Sequence, residues 1–231
     1  MRLIAHRGCA DQYPENTVAA VRQSARYADA IEVDVRRCGS GELVAFHDER
    51  VDRLTDAEGR VADLPWDRLG DLEVLDSGET VPRLRAVLDA VPEGVRVQVE
   101  LKETGLAADV RDAVAGVDRE VAVSSFDETA LAAVRDLEWD VPTGFLFESD
   151  PEANLATALE LGCDAVHPHY DCCLETDVVD AAHAAGLDVI AWKALETREE
   201  FAALREVDVD GATADRWDIA PTSKAAPAAS D

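Results

Sequence analysis

The sequence predicts an α/β barrel of eight parallel strands and intervening helices in a single domain, the (β/α)8 architecture. Short apolar runs alternate with amphipathic, alanine-rich segments along almost the whole 231-residue chain, as expected of a parallel sheet covered by helices. This length fits one such barrel, and 47% hydrophobic residues suffice for its core. We expect the barrel to span residues 1–220, followed by a small, polar, proline-bearing tail at 221–231 that should be disordered.

Nine runs have the composition of strands, one more than the barrel needs. They lie at residues 3–6, 30–35, 43–47, 95–101, 121–125, 143–147, 165–167, 187–192 and 210–212. Helical patterns separate most of them, for example at 154–161 and at 176–185, where Thr176 is a candidate N-cap. The pattern leaves open which of the nine strands is peripheral.

Two connections depart from this alternation. Residues 36–42, between the second and third strands, are too few for a helix and contain Gly39-Ser40-Gly41, which predicts a short irregular link. Residues 48–83, before the fourth strand, lack a strong strand signal and contain several glycines and prolines. A connection of this length in a compact domain is typical of a functional loop or a small insertion.

The charge excludes some classes of partner. The chain has 49 acidic and 22 basic residues, a net charge of −27, and only three lysines. Because nucleic acids and anionic membranes attract lysine and arginine, we expect neither nucleic-acid binding nor stable membrane association. We expect a small-molecule substrate instead, and the oligomeric state stays open.

The same charge predicts a salt-rich environment. Salt at about 1 M shortens the screening length to about 3 Å and relieves self-repulsion, so our hypothesis is a halophilic host. The alternative is an acidic surface that serves solubility alone. The first strand begins directly after Met1 and no apolar stretch could cross a bilayer, so we expect a soluble, cytoplasmic protein. The five cysteines form no CxxC pair and should be buried free thiols.

Polar residues at the strand ends predict the function, since barrel active sites form at the carboxyl ends of the strands. Glu32 and Asp34 are two residues apart on one strand and share a face, as do Glu100 and Lys102 on another. Three converging carboxylates repel one another, and a divalent cation removes that conflict. Oxygen ligands favour Mg2+ or Ca2+ over zinc.

Two histidines and two cations complete this set. His6 and His47 suit a reaction that removes one proton and delivers another, whereas Arg7 and Lys102 suit charge on phosphoryl oxygens. Cleavage of a phosphodiester needs both functions. Each carboxylate pair alone also fits an ordinary half-buried strand with its acidic side chains in water, and each histidine alone also fits a core histidine. Only the occurrence of all these residues at the strand ends favours an active site.

A second cluster, "HPHYDCC" at 167–173, allows another interpretation. His167 and His169 share a face and Asp171 follows them, which is compatible with a second metal site. Polar residues are common where a strand passes into a helix, so we favour an ordinary connection.

Several motifs in one order resemble the glycerophosphodiester phosphodiesterase family of phosphatidylinositol-phospholipase-C-like TIM barrels. They are "HRG", "PENT", "IEVDV", "LVAFHD", "VDRLTDAEGRVADLPW", "VPRLRAVL", "VQVELK", "SSF", "AAHAAGLDVIAW" and "DGATAD", which together extend over nearly the whole chain. The resemblance implies a metal-dependent phosphoric diester hydrolase that releases glycerol phosphate and an alcohol.

The resemblance also implies roles for particular residues. Glu32, Asp34 and Glu100 would hold one divalent cation, and His6 and His47 would act as general acid and base. Arg7 and Lys102 would contact the phosphate, and Phe126 and Trp192 would form apolar walls around the glycerol. Glu15 and Asn16 belong to the motif but their role stays open, with capping of the first helix by Asn16-Thr17 and direct substrate contact as the alternatives.

Two stretches depart from the family pattern. Trp192-Lys193-Ala194-Leu195 stands where Trp-Thr-Val-Asn is common, and Ala214-Asp215-Arg216-Trp217 stands where Thr-Asp-x-Pro is frequent. These departures leave the substrate open, so a related phosphodiesterase with another substrate and a non-catalytic barrel that binds a phosphate metabolite are the alternatives.

The charge generates the first prediction. The midpoint of thermal unfolding should rise steadily from low to multimolar KCl, because screening relieves repulsion among the acidic side chains. Thermal melts in KCl and, as a control for specific ion effects, in NaCl of equal strength would measure this. A midpoint insensitive to salt would favour the solubility interpretation.

Overall fold

A closed barrel of parallel strands forms the body of the protein. The structure, a computed structural model, describes residues 1–221. Within them the strands are β1 (Arg2–Ala5), β2 (Ala30–Arg37), β3 (Leu43–Ala45), β4 (Arg96–Leu101), β5 (Val121–Ser125), β6 (Thr143–Phe147), β7 (Ala165–Pro168), β8 (Asp188–Leu195) and β9 (Gly211–Ala214). All except β3 form the barrel, which closes because β1 pairs with both β9 and β2. The predicted single-domain (β/α)8 fold is confirmed, whereas the predicted disordered tail lies, after Pro221, outside the described residues.

The peripheral strand is β3. It runs antiparallel to the end of β2, with Val35 opposite Ala45 and Arg37 opposite Leu43. A link as short as residues 38–42 allows only an antiparallel return, because a parallel neighbour needs a crossover. β3 ends at Ala45, so His47 follows the strand instead of ending it as the sequence pattern indicated.

Alternation of side chains along the strands separates the core from the barrel interior. On β2 and β4 the residues that face the helix layer, such as Val33 and Val99, belong to the main hydrophobic cluster. Their polar neighbours take the other face, and the register places Asp34 beside Glu100. The acidic side chains of two adjacent strands therefore meet inside the barrel.

The helices lie between the strands. They are α1 (Val18–Ser24), α2 (Trp66–Leu69), α3 (Leu84–Ala90), α4 (Ala107–Val114), α5 (Glu128–Asp136), α6 (Pro151–Leu161), α7 (Tyr170–Glu175), α8 (Val178–Ala184) and α9 (Arg198–Glu206). Side chains of Thr17, Asp127 and Thr197 accept N-terminal backbone hydrogen bonds at α1, α5 and α9. The helix predicted from Thr176 has Asp177 as its N-cap, although the Thr176 hydroxyl accepts from the Val178 N–H group.

The insertion at residues 48–83 has a hydrophobic core of its own. Its buried side chains pack with those of β3 and its neighbours in a second cluster: Cys38, Val44, Phe46, Val51, Leu54, Val61, Leu69, Val74 and Val81. A short 3-10 turn (Val61–Asp63) and α2 provide its regular structure. The sequence-predicted insertion is thus an ordered subdomain beside the carboxyl end of β2.

Two further predictions concern membrane-spanning helices and the cysteines. Within residues 1–221, no helix combines the length and apolar character that a membrane span requires. All five cysteines are free and buried, as predicted.

Candidate active site

The turn after β1 places His6 and Arg7 at the carboxyl end of the barrel. It forms a 3-10 turn (His6–Gly8) in which Arg7 has φ 50° and Gly8 has φ 80°. A Cβ on Gly8 would lie 2.8 Å from the Cβ of Ala20, so the close approach of α1 requires glycine. The backbone N–H of Arg7 donates to Glu32 Oε2 over 2.8 Å, which fixes the turn to β2.

Glu32, Asp34 and Glu100 form the carboxylate trio of the site. Each offers one oxygen such that these atoms all lie within 4.8 Å of one another, and the three residues are between 1% and 7% exposed. Burial and the Asp34 charge raise the pKa of Glu32 to about 8 and also raise that of Glu100. Burial would raise the pKa of Asp34 too, but Arg7 and Lys102 outweigh it and lower that pKa.

The trio fits a hard divalent cation. Four buried side-chain atoms of residues 1–221 lack a hydrogen-bond partner, and two of them are carboxylate oxygens of the trio, Glu32 Oε1 and Asp34 Oδ1; the others are Arg7 Nε and Thr213 Oγ1. An unpaired buried carboxylate oxygen is costly, and Mg2+ and Ca2+ both prefer ligand sets made of oxygen. The orphaned oxygens and the donor chemistry therefore match the predicted metal ligands.

Two cationic side chains border the trio. The Arg7 Nη1 atom lies 3.0 Å from Glu15 Oε1, and its Nε lies 3.2 Å from Asp34 Oδ2. Lys102 Nζ lies 2.6 Å from Glu100 Oε1 and 3.6 Å from Asp34 Oδ1. Burial disfavours both charges, but the acidic neighbours outweigh it and raise the pKa of each cation. Both side chains are about one-seventh exposed or less, so water screens their charges only in part.

His6 is oriented by an aspartate from the far end of the chain. Its Nδ1 lies 2.7 Å from Asp215 Oδ1, and Asp215 directly follows β9. Burial lowers the pKa of His6, but the bond to Asp215 and the charge of Glu32 outweigh it, so the pKa is raised. Because the Asp215 carboxylate accepts a hydrogen bond from Nδ1–H, Nε2 is the ring nitrogen left for proton transfer.

His47 has the same arrangement with a neighbour in sequence. Its Nδ1 lies 2.6 Å from Asp48 Oδ1, and its backbone carbonyl accepts from Arg36 Nε over 2.8 Å. Burial and the charges of Arg7 and Lys102 lower the pKa of His47 and outweigh the opposing effects of Asp34 and Asp48, so the neutral form is favoured. The pKa of His6 is therefore raised and that of His47 is lowered.

Phe126 and Trp192 form an aromatic wall near Lys102. Phe126 is 43% exposed, and its ring meets that of Trp192 edge to face at 5.1 Å. Lys102 Nζ lies 5.9 Å from the centre of the Phe126 ring. The indole N–H of Trp192 donates to the Phe147 carbonyl, which fixes the ring at the end of β6.

The two histidines of "HPHYDCC" have separate environments. His167 is 4% exposed inside the barrel, where Gln98 is its neighbour and burial lowers its pKa to about 3. His169 precedes α7 and accepts the backbone N–H of Asp171 through Nδ1.

The site also contains groups that the sequence prediction did not assign. Asn16 donates to Asp34 Oδ2 and accepts the Asp34 backbone N–H, so it holds a carboxylate of the trio. Glu15 binds Arg7 and Arg53, while Thr17 caps α1. The "PENT" motif pointed to Glu15, Asn16 and Thr17, and the "HD" pair pointed to Asp48. No local signal tied Asp215 to His6 or Arg53 to Glu15.

The barrel and its polar site define the class of the protein: a (β/α)8 barrel in which histidines, carboxylates and cations gather at the carboxyl ends of the strands. The chain belongs to the Glycerophosphoryl diester phosphodiesterase family, whose sequence profile matches residues 6–219. The resemblance drawn from the motifs is confirmed, and with it membership of a family of phosphoric diester hydrolases.

Individual members of the family are similar to this protein over nearly the whole chain. The glycerophosphodiester phosphodiesterase of Caldanaerobacter subterraneus subsp. tengcongensis is 28% identical over 228 residues, 92% of this chain and 93% of that protein. An Oleispira antarctica phosphodiesterase, solved in complex with the product sn-glycerol-3-phosphate, has a TM-score of 0.88 and 26% identity over 95% of each chain. A Thermotoga maritima glycerophosphodiester phosphodiesterase has a TM-score of 0.82 at 23% identity, over 95% of this chain and 96% of that one, and supports the fold alone.

The carboxylate trio predicts a stabilising effect of metal. Mg2+ or Ca2+ at about 100 times its dissociation constant should stabilise the wild type by about 2.7 kcal/mol. In Glu32→Gln this increment should be largely lost, since one charged ligand is missing. Thermal melts with EDTA and with each metal, in high KCl to saturate diffuse cation binding, would measure it.

The matched control for this measurement is Glu160→Gln, at an exposed position of α6. It should keep the full increment of the wild type. An equal increment in both variants would assign the effect to the acidic surface and not to the trio.

Proposed function

We propose that the protein hydrolyses glycerophosphodiesters to glycerol phosphate and an alcohol. The observation that carries this proposal is the pair of histidines, each bound through Nδ1 to an aspartate beside a buried carboxylate trio and two cations. Family membership and the product complex of the Oleispira antarctica relative support it.

The two histidines move the protons in the proposed reaction. The 2-hydroxyl of the glycerol attacks phosphorus, so a new P–O bond forms and the bond to the alcohol oxygen breaks. Neutral His47 accepts the hydroxyl proton at Nε2, and protonated His6 gives its proton to the leaving alcohol. Water then opens the cyclic phosphate with the two roles exchanged. This division follows the opposite pKa shifts of the two rings.

The cations and the aromatic wall bind and orient the substrate in this proposal. Arg7 and Lys102 hold the phosphate through charge-assisted hydrogen bonds, and Phe126 and Trp192 form apolar walls around the glycerol. A divalent cation, Mg2+ or Ca2+, held by Glu32, Asp34 and Glu100 supplies Lewis-acid stabilisation of charge on the phosphoryl oxygens when it is bound.

Lys193 and Trp217, two of the residues that depart from the family motifs, have local partners of their own. Lys193 Nζ lies 2.9 Å from Glu200 Oε1 and 4.4 Å from the centre of the Tyr170 ring. The Trp217 ring stacks on Tyr27 at 3.8 Å. The charge of Lys193 is thus paired with Glu200, which supports the same substrate class as the relatives. The net charge of −27 further supports a salt-rich cytoplasm as the location.

Enzyme assays would test the proposed activity. Glycerol phosphate should be released from glycerophosphocholine or glycerophosphoethanolamine in high KCl with Mg2+ or Ca2+, and EDTA should abolish the release. His47→Ala should lower the rate by roughly 10²- to 10⁴-fold, because a positioned proton-transfer group is lost. His183→Ala, which removes an exposed histidine paired with Asp210, is the matched control and should retain full activity. Folded wild-type protein that releases nothing with any metal would instead favour another phosphodiester or the non-catalytic binding barrel.

The pKa shifts predict the effect of Asp215→Asn on the pH profile of kcat/KM. The rate should fall on the acid side as His47 is protonated and on the alkaline side as His6 loses its proton. Removing the Asp215 charge lowers the raised pKa of His6, so the alkaline limb should move to lower pH while the acid limb stays in place.

The control for this profile is Asp218→Asn, which removes a nearby carboxylate that pairs with Arg216. It should leave both limbs in place. An alkaline limb at the wild-type pH in Asp215→Asn would assign the proton donor to a group other than His6.

A further inference from the structure

Arg53 joins the two halves of the site from within the insertion. Its Nε lies 2.6 Å from Asp48 Oδ2, and its Nη2 lies 3.2 Å from Asp48 Oδ1. On the other side, Nη1 lies 2.8 Å from Glu15 Oε2 and Nη2 lies 2.9 Å from Glu15 Oε1. One guanidinium group thus binds two carboxylates, each through both oxygens.

Each of these carboxylates also binds a group that the proposed reaction uses. Asp48 Oδ1 accepts from the ring of His47, and Glu15 Oε1 accepts from Arg7 Nη1. Asp48 and Glu15 come from separate segments of the chain, and Arg53 contacts both. The orientation of the proton-transfer ring and that of the phosphate-binding cation therefore share one support.

The core of the insertion holds Arg53 in this place. Val51 and Leu54, on either side of it in sequence, are 0% and 2% exposed and belong to the second hydrophobic cluster. The backbone N–H groups of Leu54 and Thr55 both donate to the Val51 carbonyl, which forms a tight turn. The Arg53 side chain leaves this turn 48% exposed and reaches Glu15, which is almost fully buried.

We propose that Arg53 is a positioning residue that couples the folded insertion to His47 and Arg7 through Asp48 and Glu15. Arginine suits this role because its planar fork presents several donors in fixed directions, whereas lysine offers a single flexible ammonium. The inference rests on the proposed function, since it assigns to Arg53 the alignment of groups that act in that reaction.

Steady-state kinetics of Arg53 variants would test the coupling. Arg53→Ala should lower kcat/KM by roughly 10- to 100-fold, as is typical when the partner of a functional side chain is removed. The loss should appear in both kcat and KM, because proton transfer and phosphate binding depend on the same guanidinium. Arg53→Lys should restore little of it, and millimolar guanidinium should restore part of the activity of Arg53→Ala but not of His47→Ala.

The matched control is Arg50→Ala. Arg50 lies three residues earlier and binds one aspartate, Asp52, through Nε and Nη2, but it is more exposed and contacts no group of the site. Its loss should change kcat/KM less than twofold. A double-mutant cycle tests whether Arg53 acts on His47 through Asp48. In an Asp48→Asn background, Arg53→Ala should no longer lower kcat but should still raise KM through Glu15.

The outcomes separate the two proposals. A wild type that cleaves no glycerophosphodiester overturns the proposed function and this inference with it. An active wild type with an Arg53→Ala variant as active as Arg50→Ala overturns the inference alone. Where Arg53→Ala also lowers the unfolding midpoint, the guanidinium rescue separates the two roles: partial recovery of activity supports a positioning role, whereas a purely structural loss would not be reversed by a small cation.

Discussion

Repulsion among three buried carboxylates is the constraint on which the rest of the site depends. Glu32, Asp34 and Glu100 are brought together because β2 and β4 are neighbours in register, and alternation turns all three side chains to the barrel interior. Burial and the Asp34 charge together raise the pKa values of Glu32 and Glu100, whereas Arg7 and Lys102 outweigh burial at Asp34 and lower its pKa. The charges around the trio follow from this conflict.

The cations beside the carboxylate trio contrast with the acidic surface of the protein. The chain has a net charge of −27 and three lysines, yet Lys102 and Arg7 both lie beside the trio. A negative surface repels an anionic substrate at long range, whereas salt screens that repulsion within a few ångströms. Capture of a phosphodiester, as proposed, would therefore depend on short-range contacts with Arg7 and Lys102, which acidic neighbours keep charged.

The sequence predicted those parts of the fold and site that follow from local periodicity. Apolar runs indicated nine strands, and the two-residue spacing of Glu32 and Asp34 indicated a shared face. The pattern could not exclude β3 from the barrel, because an edge strand and a barrel strand have the same composition. Nor could it pair His6 with Asp215, 209 residues away, since that contact exists only once the barrel closes. The bond from Arg53 to Glu15 is hidden for the same reason: it depends on how the insertion packs.

In the proposed function, the placement of His47 makes the chemistry depend on the insertion as well as on the barrel. His47 follows the peripheral strand β3, not a barrel strand, and the residues around it pack into the second hydrophobic cluster. Subdomains with their own small core can open locally at a lower free energy than global unfolding. Opening of the insertion would withdraw His47 and the Arg53 side chain together while leaving the carboxylate trio and His6 on the intact barrel. Proton transfer by His6 and His47, as proposed, would therefore require the insertion to stay folded against the barrel.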